Sequence, residues 1–281
     1  MTTPGLLCVH PHPDDESIAV GGSIARYLDE GMRVKVVTCT RGEAGDNLAG
    51  IDLRGDDLTS VRERELAAAL DELGGPEHEY LGYRDSGMAG TPGNDHPASF
   101  ARADLDEAAG RLATIIRRFR PAVVVSDNLE GTYGHPDHVK ANRVTGRAVE
   151  LAADPAWEDG EPWNVAKRYV ISFPRSAAFE AHGALMDAGL PSPFGEDPIA
   201  SPQQMVFGTP DEEITALVDV AAWLPRKIAA LREHASQIGP ESFFLNLPDG
   251  VAERFFGTEA FTREPREDGP NPERDLFAGV R

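Results

Sequence analysis

Two short segments of this 281-residue chain concentrate the side chains that can do chemistry. The first is Val9-His10-Pro11-His12-Pro13-Asp14-Asp15-Glu16-Ser17, in which two histidines and three consecutive acids follow the apolar run Leu6-Leu7-Cys8-Val9. The second is Gly134-His135-Pro136-Asp137-His138. Neutral imidazole together with carboxylate suits a divalent metal, zinc first. His12 and Asp15, three apart in a tight turn, can converge on one ion, and His138 is the natural third ligand. A catalytic zinc takes three protein ligands and keeps one position open. Iron(II) suits the same two-histidine, one-carboxylate set.

Asp14 lies between His12 and Asp15 and should point differently, within reach of the attacking water, as a general base does. His135 could help to ligate, or it could face substrate and stabilise a developing oxyanion, best as imidazolium. Tyr133 could add a hydroxyl to that oxyanion site, and Asp137 could orient His135 or hold its proton. Either cluster alone is weak, because surface turns and helix caps are full of such pairs. Together they hold four of the eight histidines in two short segments.

These segments need elements that bring them together. Leu6–Val9 reads as a buried strand, Ser17–Glu30 as a helix stopped by Gly31, and Val34–Thr40 as a second strand. A polar loop, 41–57, precedes a helix to Leu73 that opens on the capping-box spacing Ser60-Val61-Arg62-Glu63. His78–Tyr83 is a short third strand, followed by a long Gly- and Pro-rich loop over 84–100 of the kind that usually serves function. Asp104–Arg120 reads as a helix, Ala122–Ser126 as a fourth strand and Asp137–Ala152 as a helix. Four β-α repeats predict an α/β fold, a Rossmann-like, doubly wound and mostly parallel sheet with helices on both faces. Both clusters then fall at carboxyl ends of strands, where open α/β sheets bind ligands. A single domain over 1–281 is expected, with a metal-binding β-α core over 1–152 and an elaboration over 153–281 that helps to shape the substrate pocket. In that second half Tyr169–Phe173 reads as a strand, 177–188 as a helix, and 211–234 as a helix kinked or divided by Pro225. The tail, 265–281, reads as irregular.

The net charge of −20 argues against nucleic acid or an anionic membrane surface as partner. No apolar stretch approaches the ~20 residues that a membrane span needs. Cys8 and Cys39 each lie in a strand and read as inert buried thiols. Low cysteine usage and the lack of a signal-peptide pattern point to the cytoplasm. A homo-oligomer is possible.

The two clusters resemble the paired signatures of the PIG-L/LmbE-type zinc deacetylases: His10-Pro11-His12-Pro13-Asp14-Asp15-Glu16 is similar to the first and Gly134–His138 to the second. Weaker similarity runs through 38–46, 62–74 and 80–90. Within that family the chain is most similar to the mycothiol enzymes, the N-acetylglucosaminyl-inositol deacetylase and the mycothiol S-conjugate amidase. Tyr83–Thr91 looks like the former, and His234–Ile238 with Phe243-Phe244 like the latter. The resemblance implies His12, Asp15 and His138 as zinc ligands and Asp14 as general base. It also implies His135 and Tyr133 at the oxyanion, with Asp137 tuning His135. Arg62 and Asp85 match positions that bind sugar or inositol hydroxyls, and Glu43 and Arg41 are expected at the rim.

The leading expectation is a zinc-dependent hydrolase that removes an acyl group, acetyl foremost, from the nitrogen of an amino sugar of the N-acetylglucosaminyl-inositol type. The alternative within hydrolases is a mycothiol S-conjugate amidase. The alternative from another class is a metal- or sugar-binding protein without turnover, against which Asp14 speaks, since a binding site has no use for a carboxylate between its ligands.

Overall fold

The computed structural model describes residues 3–53, 55–248, 250–266 and 272–280, so part of the tail, 267–271 and 281, lies outside the described residues. Seven strands form one mixed sheet: β1 (Gly5–His10), β2 (Arg33–Thr38), β3 (Glu77–Tyr80), β4 (Val123–Ser126), β5 (Lys167–Ser172), β6 (Ala216–Asp219) and β7 (Thr258–Glu264). Their spatial order is β3-β2-β1-β4-β5-β7-β6. The first five run parallel, and β7 lies antiparallel to both β5 and β6.

Every residue of β1 is buried, as suits a central strand covered on both sides. Its alternating side chains feed two cores. Leu6 and Cys8 pack with Ile24 of α1 (Asp15–Asp29), Leu66 and Leu70 of α2 (Leu58–Leu73) and Ala230 from the second half of the chain. Leu7 and Val9 pack with Leu112 and Ile116 of α3 (Leu105–Phe119) and with Val144 and Ala148 of the long helix that follows β4. Both cysteines are free and buried, and burial raises their thiols above the ordinary range, as expected of inert residues.

The chain leaves β1 toward β2 and leaves β4 toward β5, in opposite directions along the sheet. This divergence opens a crevice beyond the carboxyl ends of β1 and β4, the switch point where ligands bind in such sheets. After β4 comes a single turn, α4 (Gly131–Gly134), and then α5 (Pro136–Ala153). His135 caps α5, its ring accepting the Asp137 N–H, and Pro136 occupies the first turn, where its missing N–H costs nothing.

Three local readings need correction. The N-cap of α2 is Asp57, whose carboxylate accepts the Ser60 N–H, so the helix starts before the expected Ser60 box. The span 211–234 is not one helix. It holds β6, with Ala216 and Val218 turned inward, and then α7 (Leu224–Glu233), following α6 (Arg175–Asp187). Pro225 sits in the first turn of α7 and starts the helix rather than kinking it. The last helix, α8 (Val251–Phe256), leads into β7. Among the described residues no helix is long and apolar enough to cross a membrane.

Candidate active site

The turn after β1 and the start of α5 place His12, Asp15 and His138 together. Oδ2 of Asp15 accepts the His12 backbone N–H at 2.9 Å and lies 3.5 Å from His12 Nδ1, while Oδ1 lies 3.5 Å from His138 Nε2. Asp15 thus faces both imidazoles. The opposite ring nitrogens are tied back. His138 Nδ1 sits 2.7 Å from Asp127 Oδ1, and His12 Nε2 sits 3.3 Å from Asp137 Oδ2. A carboxylate behind each histidine fixes its tautomer and leaves the inner nitrogen's lone pair for a cation. His12, His135 and His138 also bring ring nitrogens within 4.8 Å of one another, as do His12, Asp85 and Asp137 their donor atoms.

Charge favours a cation here. Burial opposes ionisation of His12, but Asp137, Asp15 and Asp85 together hold its imidazolium well above the ordinary range. His138 is raised in the same way by Asp15 and Asp127 against its burial. Burial likewise resists ionisation of Asp15, yet the facing His138 and His12 keep its carboxyl far below the usual range. A proton held so tightly among carboxylates is what a divalent cation displaces. The donor set, two imidazoles and one carboxylate, fits zinc and iron(II).

Asp14 turns its carboxylate toward Arg62. Its backbone is strained, at φ 120° and ψ −31°, a region that side-chain-bearing residues rarely adopt. Its N–H donates to Glu16 Oε2 at 3.0 Å, and its carbonyl accepts from Ser17 and Ile18 at the head of α1. Strain held this firmly, of order 1–3 kcal/mol, is typical of groups aimed for chemistry. Burial pushes its carboxyl up to about 6, with Arg62 pulling the other way. Arg62, itself buried, reaches Asp14 Oδ2 at 3.3 Å, the Pro13 carbonyl at 2.7 Å and the Gly42 carbonyl at 3.1 Å. Gly42 has φ +70°, and a Cβ there would lie 2.1 Å from the Arg62 guanidinium, so only glycine lets the arginine through.

His135 differs from expectation. Burial, then the neighbouring His12 and His138, lower it to about 4, so near neutral pH it is an imidazole and not an imidazolium. Its Nδ1 accepts the Asp137 N–H at 3.1 Å, which puts the ring proton on Nε2 as a donor. The Asp137 carboxylate faces His12 and the Ser86 N–H and hydroxyl, so it orients His12, while its charge also raises His135 against burial. The Tyr133 ring is more than half exposed, and its hydroxyl lies 3.4 Å from His138 Nε2.

His12, Asp14, Asp15, Arg62, Asp85 and His135 line one pocket of about 400 Å³, together with apolar Ile18, Leu48, Met88, Ile238 and Phe244. Asp85 lies 3.5 Å from His12 Nε2 and accepts from the Ala44 and Gly87 N–H groups. Glu43 stands behind this wall: its carboxylate accepts the Arg41 and Asp85 N–H groups and so holds the Asp85 backbone. Arg41 turns to Glu63 and to the Tyr80 ring.

Sequence reasoning missed Asp127 and gave no role to Glu16, Ser86 or His234, although each of these three lies in a segment it singled out. Asp127 had a signal, being an acid directly after the buried run of β4. Glu16 is fully buried and pairs with His234 at 2.9 Å, with Ser17 donating to the same carboxylate. His234 comes from the far end of the chain, and nothing local announces that partnership.

A family model described as PIG-L, GlcNAc-PI de-N-acetylase, matches residues 7–149, the interval that carries both motifs. The chain belongs to the PIG-L family. It is 46% identical to a 1D-myo-inositol 2-acetamido-2-deoxy-alpha-D-glucopyranoside deacetylase of Acidothermus cellulolyticus, over 98% of this chain and 94% of the relative. A protein of the same name from Thermobispora bispora is 44% identical over 98% of each chain. PIG-L membership and these relatives make the chain an amide-hydrolysing enzyme of the deacetylase type. A 4-carboxy-2-hydroxymuconate hydratase from Pseudomonas putida shares the fold, with a TM-score of 0.63 and 20% identity over 96% of this chain and 99% of that one. A shared fold does not fix a reaction, so the chemistry of the present chain has to be argued from its site residues.

Proposed function

We propose that this chain is a zinc-dependent N-deacetylase acting on an N-acetylglucosaminyl-inositol. The observation that carries the reading is that Asp14, the inner faces of His12 and Asp15, and the polar residues Arg62 and Asp85 all open onto one pocket. The relatives' names supply the sugar.

His12 Nδ1, Asp15 and His138 Nε2 would hold the cation, which when bound supplies Lewis acidity toward the amide carbonyl and toward the attacking water. Asp14, ionised, takes the water's proton as the C–O bond forms, then delivers a proton to the departing nitrogen as the C–N bond breaks. Its carboxyl, raised toward neutrality, suits both transfers. The His135 Nε2–H and the Tyr133 hydroxyl stabilise the oxyanion of the tetrahedral species. Arg62 and Asp85, a donor and an acceptor on the same wall, take sugar or inositol hydroxyls. Asp137, through His12, is a positioning residue.

The test is acetate release from 1D-myo-inositol 2-acetamido-2-deoxy-alpha-D-glucopyranoside by metal-stripped and zinc-restored protein, with a mycothiol S-conjugate in parallel. Zinc-restored release from the first supports the reading. Preference for the conjugate would make the chain an amidase, and zinc uptake without turnover of either would leave the metal site standing and move the search to other N-acyl sugars. Asp14→Asn should keep its zinc and lose about 10²–10⁴-fold in kcat.

A further inference from the structure

Asp14 is held at two points, and both holds trace back to one helix. Its carboxylate meets Arg62 Nη2 at 3.3 Å. Its backbone N–H donates to Glu16 Oε2 at 3.0 Å. The second oxygen of Glu16, Oε1, lies 2.9 Å from His234 Nε2 and accepts the Ser17 hydroxyl at 2.6 Å. Two residues beyond His234, Ser236 donates its N–H and its hydroxyl to the two oxygens of Glu65, each at 2.7 Å. Glu65 stands three residues after Arg62 on α2, so the two share a face of that helix. The contacts close a ring that runs from Asp14 through Glu16, His234, Ser236, Glu65 and Arg62 back to Asp14. Every member beyond Asp14 is buried.

Burying three charged side chains and an imidazole is a costly way to fasten 234–236 to α2, and apolar contacts would do it at less expense. What a ring of directed hydrogen bonds supplies is orientation. Asp14 needs it, because at φ 120° its backbone is not at rest and would relax once its N–H was released, turning the carboxylate. We infer that Glu16, His234, Ser236 and Glu65 are positioning residues, and that their ring holds Asp14 in its strained conformation and so aims its carboxylate. The inference rests on the proposed reading of Asp14 as the base, and it brings a segment of the second half of the chain into the reaction. None of the four lines the pocket onto which Asp14 opens. Their effect on turnover therefore passes through Asp14 and not through contact with substrate.

The test uses the zinc-saturated full chain and 1D-myo-inositol 2-acetamido-2-deoxy-alpha-D-glucopyranoside, with Asp14→Asn as the reference. His234→Ala should lower kcat about 10²-fold, the scale of a misplaced reacting group. Ser236→Ala, which loses one of the two bonds to Glu65, should lower kcat about five- to tenfold. KM and zinc affinity should stay within about twofold of the parent in both, as for an interaction expressed only in the transition state. His234→Gln, whose amide can donate to Glu16 in place of Nε2, and Ser236→Thr, which keeps the hydroxyl, should each restore most of the lost kcat. Should His234→Ala fail to fold, the Ser236→Ala and Ser236→Thr pair decides alone. Unchanged kcat in the alanine variants would overturn the ring's role, and so would losses seen in KM or zinc affinity instead of kcat. Failure of the conservative variants to recover kcat would overturn it too. Full turnover by Asp14→Asn would remove the base and the role of the ring together.

Discussion

Arg62 Nη2 lies 3.3 Å from Asp14 Oδ2, joining the second turn of α2 to the strained residue that opens α1. The pair decides where the proposed base titrates. Burial raises Asp14 to about 6, and without the guanidinium that rise would be larger. The base works ionised, so activity climbs as pH rises through this range. Arg62→Leu should move the acid limb of the kcat/KM profile to higher pH by about a unit or more. An unmoved limb would show that Arg62 serves substrate alone.

Asp127 is expected to govern metal retention without touching the metal. It fixes the His138 ring by its 2.7 Å contact with Nδ1. Asp127→Ala should weaken zinc binding about 10–100-fold, measured by equilibration in zinc buffers, while His138→Ala weakens it further. Equal zinc affinity in Asp127→Ala and the parent would refute the role.

The buried Glu16–His234 pair makes a prediction about stability. Glu16 is held down to about 2 by His234 against its burial, so its share of stability is present above its ordinary value of 4.5 and fades as pH falls from there toward 2. His234 is raised by Glu16 against its own burial, so its share is complete below 6.5 and is lost as pH rises through the higher folded value. His234→Ala strands a buried carboxylate and should cost about 3–5 kcal/mol near neutral pH. In denaturant melts of parent and variant at matched metal content, the stability gap should narrow on the alkaline side. A constant gap across pH would show that the pair is not ionised.

Most of the catalytic half was legible because its signals are local. The buried runs of β1, β2 and β4 and the amphipathic helices between them are properties of short segments, and so is the packing of His12, Asp14 and Asp15 into one turn. The long loop after β3 also declared itself, and its first residues, Asp85 and Ser86, do enter the site. Cysteine placement followed from the same apolar runs.

Other features belong to the tertiary structure alone. β6 hid inside a span that reads as helix, since its Ala216-Leu217-Val218-Asp219 earns strand geometry only by pairing with β7. The state of His135 could not be read from its neighbours in sequence: two rings brought beside it, His12 and His138, and its burial make it neutral. Asp137 partners His135 through its backbone N–H, as their closeness in sequence suggests, yet the start of α5 also turns its carboxylate to His12 across the crevice. A cavity of about 430 Å³ beside Asp15 and His138 draws on Phe173, Phe194, Phe207, Phe243 and Phe255, five positions with no common spacing. By itself the sequence determined the reactive groups and the strands that end in them, because both are written in a few adjacent residues. Which charges face each other, and which empty space adjoins them, was decided by the folded chain, because electrostatics and cavities depend on distance through space.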